Sequence, residues 1–233
     1  MLQAILHGKA DRIEQDGESI SWRDAFKRRE DLLTAVFFGR VPYLSDSALG
    51  ALLRFLLGDD NPIDPSTFNQ LELWPHLKWP NEDRSFVEPD VLLRFTNALV
   101  VIEVKPPFGG DQHQDQWKDQ VDAVDSNTET EDITYIDGLY YVALGRTSDT
   151  PLTREELPER FRQMTLREWE PLRRFLQTAP EFDSRRQDKA IREEWMRAFE
   201  LFGMAPVVPD WQPLLNYAWN LHLSRPDFSF LNH

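Results

Sequence analysis

The sequence predicts a mixed α/β protein: a mixed sheet flanked by helices, in the core order helix, strand, strand, strand, helix, strand, with a helical C-terminal extension. Three observations lead there. Two short segments, Val91–Phe95 and Ala98–Val104, are apolar with little interruption, as strands covered on both faces are. A helix over about 111–124, striped by Trp117, Val121 and Val124, separates them from a further apolar segment at 139–144. Helix-period segments precede and follow this block. The core is assigned to residues 1–150. Residues 151–233 are assigned to the extension, packed on the core and a possible partner surface.

Each element has a local cause. Residues 2–20 read as an irregular or β-rich lead-in. A helix starts at Ser21, which makes a capping-box-like pair with Asp24. It carries Trp22, Phe26, Leu33, Val36 and Phe37 to about Phe38, before Gly39 and Pro42. A second helix follows Ser47, bears Leu49, Leu52, Leu53, Phe55 and Leu56, and stops at Gly58. Residues 61–68, rich in Pro and Asp, are loop. Leu71, Leu73 and Leu77 alternate with polar residues, as in a strand broken by Pro75. A polar connection at 81–85 precedes the two apolar strands, which Thr96-Asn97 separates. Residues 106–110 are loop before the helix, and 126–132 are an acidic loop after it. Past the strand at 139–144 the chain reads as helical throughout. Thr165 and Glu168 form a capping box before Trp169, Leu172, Phe175 and Leu176. Ile191, Trp195 and Phe199 mark a helix over 188–202, and a short last helix covers 213–223.

Composition narrows the function classes. Of 233 residues 41% are hydrophobic, including 8 Trp and 15 Phe, which supports a real core. Cysteine is absent, so disulfides, thiolate nucleophiles and cysteine-ligated zinc are excluded. No apolar run approaches the ~20 residues that span a bilayer. The first residues alternate apolar and charged side chains, unlike a secretory signal. The expectation is a cytoplasmic protein with no membrane contact. The formal net charge is −14, from 40 acidic and 26 basic residues. A nucleic-acid binder usually presents a basic footprint. Here residues 151–200 are balanced, with eleven basic and eleven acidic side chains, and the excess acid lies elsewhere. Any contact with nucleic acid is therefore local, or rests on a metal ion, or on a protein partner or second copy.

The informative constellation is Glu88-Pro89-Asp90 followed by Glu103-Val104-Lys105. Glu103 and Lys105 are two apart on a strand, so both point to one face. If Thr96-Asn97 is a two-residue loop, Phe95 opposes Ala98 and Asp90 opposes Glu103. A longer loop would shift that register, and Thr-Asn is not the favoured hairpin pair. Directly opposed carboxylates, with Cβ atoms roughly 4.5–5.5 Å apart, repel unless a cation sits between them. Mg²⁺ takes one or two carboxylates together with waters and phosphate oxygens.

Asp90, Glu103-Val104-Lys105 and the preceding Pro89 resemble the motif of the PD-(D/E)XK phosphodiesterase superfamily, and the element order over about 22–145 resembles its restriction-endonuclease-like core. The resemblance implies that Asp90, Glu103 and the Val104 carbonyl ligate Mg²⁺ or Mn²⁺, with Lys105 as the catalytic lysine. It implies an acid from the first core helix, Glu30 in preference to Asp31. In the branch similar to the RecB nuclease a Gln follows on the next helix. Gln112, Gln116 and Gln120 recur at i, i+4 and i+8, and Gln116, then Gln120, are the candidates. The implied activity is a metal-dependent nuclease that hydrolyses DNA, in a prokaryotic defence or mobile-element system. The alternative is a catalytically inactive nuclease-like module that engages a partner in a larger complex through its acidic surface.

Other features have simpler explanations. His113 is a lone histidine, and His7, His76, His222 and His233 show no metal-ligand spacing. Gly109-Gly110 reads as a loop hinge. Arg173-Arg174 and Arg185-Arg186 read as solvated faces.

Overall fold

A computed structural model describes residues 2–204, apart from 8, 11, 16, 28–29, 79–85, 109 and 131–137. Its helices are α1 (Leu2–Leu6), α2 (Trp22–Lys27), α3 (Glu30–Phe38), α4 (Asp46–Leu57), α5 (Gln114–Thr130), α6 (Trp169–Thr178) and α7 (Arg186–Leu201). Its strands are β1 (Arg12–Gln15), β2 (Glu18–Ser21), β3 (Phe68–Leu73), β4 (Leu77–Lys78), β5 (Phe86–Val87), β6 (Val91–Phe95), β7 (Ala98–Val104), β8 (Gly138–Leu144) and β9 (Phe161–Arg167). The protein is a mixed α/β fold. A five-stranded sheet runs in the order β3-β6-β7-β8-β9. β3, β6 and β7 are antiparallel neighbours, whereas β7, β8 and β9 are parallel.

β7 and β8 are buried at every position, which is why both are apolar on both faces. Leu99, Val101, Leu139 and Tyr141 face α5 and pack with Trp117, Val121 and Val124. Val100, Ile102, Val142 and Leu144 face the other helices, among Leu52, Leu53, Trp169 and Trp195. Strand parity therefore sends Glu103, in step with Leu99 and Val101, toward α5. Among the described residues no helix is long and apolar enough to cross a membrane.

Several local expectations are corrected. The lead-in contains the short helix α1 as well as the β1–β2 hairpin. The Ser21/Asp24 pair does cap α2: Asp24 N–H donates to Ser21 Oγ at 3.1 Å, and Ser21 Oγ donates back to Asp24 Oδ2 at 2.6 Å. α4 is capped by Ser45, not Ser47, with Ala48 N–H donating to Ser45 Oγ at 3.3 Å. The reason lies in α7. The buried Asp188 carboxylate accepts from Ser45 N–H at 2.9 Å and from Ser45 Oγ at 2.6 Å. α5 begins at Gln114 and continues to Thr130, through residues expected to be loop. Within this extension Ser126 and Asn127 donate back to the carbonyls of Asp122 and Ala123, both at 2.8 Å.

The largest correction concerns the segment after residue 151. It is not helical throughout, because β9 supplies the fifth strand of the sheet. Thr165 lies within β9 and does not cap α6. β9 instead caps α4 with side chains. Arg167 Nε donates to Phe55 O at 2.6 Å, Thr165 Oγ1 to Leu56 O at 2.6 Å, and Gln163 Nε2 to Leu57 O at 2.8 Å. Carbonyls in the last turn of a helix have no partner within the helix, so these bonds fix β9 beside α4. α6 and α7 follow as expected. The helix expected over 213–223 and the connection at 81–85 lie outside the described residues.

Candidate metal centre

β6 and β7 pair Val91 with Ile102 and Arg94 with Leu99. One step further, the same register sets Asp90 opposite Glu103, on the face covered by α5. The two-residue Thr96-Asn97 connection therefore produces the pairing expected of it. Asp90 is fixed from two sides: Val104 N–H donates to its Oδ2 at 2.7 Å, and Trp74 N–H donates to its carbonyl at 3.0 Å. The N–H and C=O of one strand residue leave on the same side, so the Val104 carbonyl also faces Asp90.

Glu103 is 2% exposed. Lys105 Nζ donates to its Oε1 at 2.8 Å, and Gln116 Nε2 donates to the same oxygen at 2.6 Å. Gln120 Nε2 donates to Oε2 at 2.7 Å. An ionised carboxylate is costly to bury without such partners. A carboxylate offers about four lone-pair sites. Lys105, Gln116 and Gln120 use three of them.

Gln116 and Gln120 are one turn apart on α5, as a polar stripe at i, i+4 places them. Gln112 does not belong to that stripe. It precedes the helix, is fully buried, and accepts from Trp117 Nε1 at 2.9 Å. Glu30 is the first residue of α3, and its side chain lies outside the described residues; Asp31 is exposed. His113 is exposed, 4.0 Å from Asp149. Arg173 is buried rather than solvated, paired through two 2.8 Å hydrogen bonds to Glu170.

Three neighbours of this site were not singled out by the sequence. Tyr141, at the middle of β8, donates its hydroxyl to Gln120 Oε1. Burial first, and then the negative charges of Glu103 and Asp90, push its phenol well above the usual tyrosine range, so it stays a donor. By engaging Oε1, Tyr141 fixes which end of the Gln120 amide faces Glu103. A tyrosine amid buried apolar strand residues is itself a signal, since its hydroxyl must find a partner. Trp169 holds the Lys105 backbone: its Nε1 donates to Lys105 O at 2.7 Å, and Lys105 N–H donates to Leu144 O at 2.8 Å. Gly145, at φ +133°, lets β8 end against Lys105. A Cβ at 145 would stand 2.8 Å from Lys105 O and 2.9 Å from its Cβ.

Tyr141→Phe is expected to leave Gln120 Oε1 buried without a donor and to weaken Mn²⁺ binding about tenfold, the scale for residues that orient a metal ligand. Calorimetric titration checks it; unchanged affinity would show that Tyr141 does not act on Glu103.

The donor set is two carboxylates and one backbone carbonyl, all oxygen, which fits a hard divalent cation. Among the described residues no group of three or more His, Cys, Asp or Glu is placed to hold a metal. A Mg²⁺ site does not need one, because waters and phosphate oxygens complete its octahedron.

Comparison with known proteins adds little. No family model matches the chain, and no solved structure matches it. Over 106 residues it is 38% identical to an uncharacterized protein of Pasteurella multocida (strain Pm70), covering 45% of this chain and 39% of that protein. The chain thus spans about two fifths of the length of the relative it matches, and the likeness assigns no family.

Proposed function

We propose that the protein is a PD-(D/E)XK-type nuclease that hydrolyses phosphodiester bonds of DNA with Mg²⁺ or Mn²⁺. The observation that carries this reading is the buried Glu103 carboxylate, opposite Asp90 and in contact with Lys105 Nζ at 2.8 Å. The order α3, α4, β3, β6, β7, α5, β8, with the small β4–β5 pair set between β3 and β6, supports an αβββαβ core like that of the superfamily if α3 and α4 together take the place of its first helix, with β9 as an addition. Asp90, Glu103 and the Val104 carbonyl would hold the ion. When bound, the cation supplies charge stabilisation at the phosphate and acidifies water. The protein's own part is positional. Gln116 and Gln120 hold the Glu103 carboxylate in place through both of its oxygens. Lys105 brings a positive charge to the place where negative charge develops on the phosphate.

The test is cleavage of DNA and RNA by the purified chain with Mg²⁺ or Mn²⁺, compared with Asp90→Ala and Lys105→Ala. Metal-dependent cleavage lost in both variants is expected. Equal residual cleavage in all three proteins refutes it.

The −14 charge favours one rival, a nuclease-like interaction module without catalysis. Such a module binds no Mg²⁺ or Mn²⁺ at Glu103, so calorimetry on the wild type and Glu103→Ala separates the two.

A further inference from the structure

The loops beside Lys105 carry chemistry that hydrolysis itself does not use. Gly110, Asp111, Arg146, Thr147 and Ser148 line a cavity of about 470 Å³. It adjoins Lys105 directly: a Cβ on Gly110, at φ +77°, would stand 3.3 Å from Lys105 Cδ. The cavity is within the ~300–1,000 Å³ range of small-ligand sites.

Its polar groups divide into two sets. One set is tied to the walls, and the Asp111 carboxylate among it keeps further acceptor capacity inside the cavity. Asp111 Oδ1 accepts from Gln112 N–H at 3.2 Å. Thr147 Oγ1 donates to Gln112 O at 3.3 Å and accepts from Asp149 N–H at 3.1 Å. Asp149 Oδ2 accepts from Gln114 N–H at 3.1 Å, which ties this loop to the start of α5. The other set is Arg146 and Ser148. Both are exposed, and neither side chain has a hydrogen bond or ion pair among the described residues. A guanidinium with no partner among the described residues thus stands beside the candidate centre, and its fork suits a phosphate.

Phe108 stands two residues before Gly110. It is 68% exposed, the most exposed large apolar side chain among the described residues. One edge of the ring lies by Gly203, where an added Cβ would stand 3.6 Å from Cε2, and the exposed remainder offers a face on which a base can stack. Bases in a duplex have both faces covered, so only an unpaired base can use it.

We propose that Phe108, Arg146 and the cavity form a subsite for a single-stranded nucleic-acid segment next to the scissile phosphate. Phe108 stacks one base, and Arg146 contacts a phosphate across the cavity. This rests on the nuclease reading above and specifies its substrate: an unpaired strand, or the unpaired flank of a duplex.

The experiment is fluorescence anisotropy with a labelled single-stranded 20-mer and the matching duplex, with Ca²⁺ as the divalent ion, over a series of salt concentrations. Wild type is expected to prefer the single strand. Phe108→Ala should weaken single-strand binding about tenfold and leave duplex binding unchanged, given the cost of losing one base–aromatic stack. Arg146→Ala should reduce the slope of log affinity against log salt by about 0.7, the value for one phosphate contact on a single strand. Wild-type affinity and slope in both variants overturn the proposal, as does a wild type that prefers duplex or binds neither. Mg²⁺-dependent cleavage by the same proteins tells the two failures apart. Cleavage that Phe108→Ala and Arg146→Ala leave untouched sinks the subsite alone, whereas cleavage insensitive to Asp90→Ala sinks the nuclease reading.

Discussion

Glu103→Gln is expected to abolish detectable Mg²⁺ and Mn²⁺ binding and to lower metal-dependent cleavage by at least ~100-fold. Losing residues that merely orient a ligand costs 10–100-fold, so losing the ligand's charge should cost no less. The substitution keeps size and removes only the negative charge. It also places an amide NH₂ where the native oxygens accept from Lys105, Gln116 and Gln120. One donor then faces another, and the three-way arrangement around position 103 opens. Calorimetry measures the binding, single-turnover cleavage measures the rate, and circular dichroism checks that the fold is retained. A Glu103→Gln protein that binds Mn²⁺ like wild type would sink the centre described here.

Trp169→Ala should produce the largest loss of stability among the residues around the site, about 3–5 kcal/mol, the range for truncating a buried aromatic. Trp169 is 2% exposed and packs edge-on against Phe37 and Phe199, with ring centroids 5.5 and 5.9 Å away. Domains of this kind are stable by only ~5–15 kcal/mol, so the loss is a large fraction of the total. Trp169→Phe separates packing from hydrogen bonding. It keeps most of the aromatic volume but removes the donor to Lys105 O, a loss of about 1 kcal/mol. Thermal unfolding ranks the two variants. If both cut cleavage while only Trp169→Ala lowers the melting temperature strongly, the indole nitrogen positions Lys105 as well as stabilising the fold. If Trp169→Phe cleaves like wild type, the hydrogen bond has no part in positioning.

The central sheet was legible because β6, β7 and β8 carry their burial in their own residues, apolar on both faces. The opposition of Asp90 and Glu103 followed from counting across a two-residue turn, since a strand's faces alternate strictly. β9 was illegible for a physical reason. Phe-Arg-Gln-Met-Thr-Leu-Arg has little apolar continuity, because its polar side chains are occupied with carbonyls of α4 more than a hundred positions away in the chain. The helical reading of Thr165 came from the same hydroxyl, which caps the end of a different helix. Gln116 and Gln120 looked equally like a solvated helix face; only the fold decides that they meet a carboxylate. Tyr141 and Trp169 reach the site through tertiary neighbours that no spacing rule encodes.

The hairpin between β6 and β7 works as a vernier. Its turn, Thr96-Asn97, is at the opposite end of the strands from the acids it aligns. Because side chains alternate with a period of two, inserting a single amino acid there would carry Asp90 to the reverse side of the ribbon or out of step with Glu103. Such an indel is expected to abolish the proposed metal binding with Asp90, Glu103 and Lys105 all still present in the gene. The length of this turn is thus as direct a test of the proposed centre as the identity of the acids themselves.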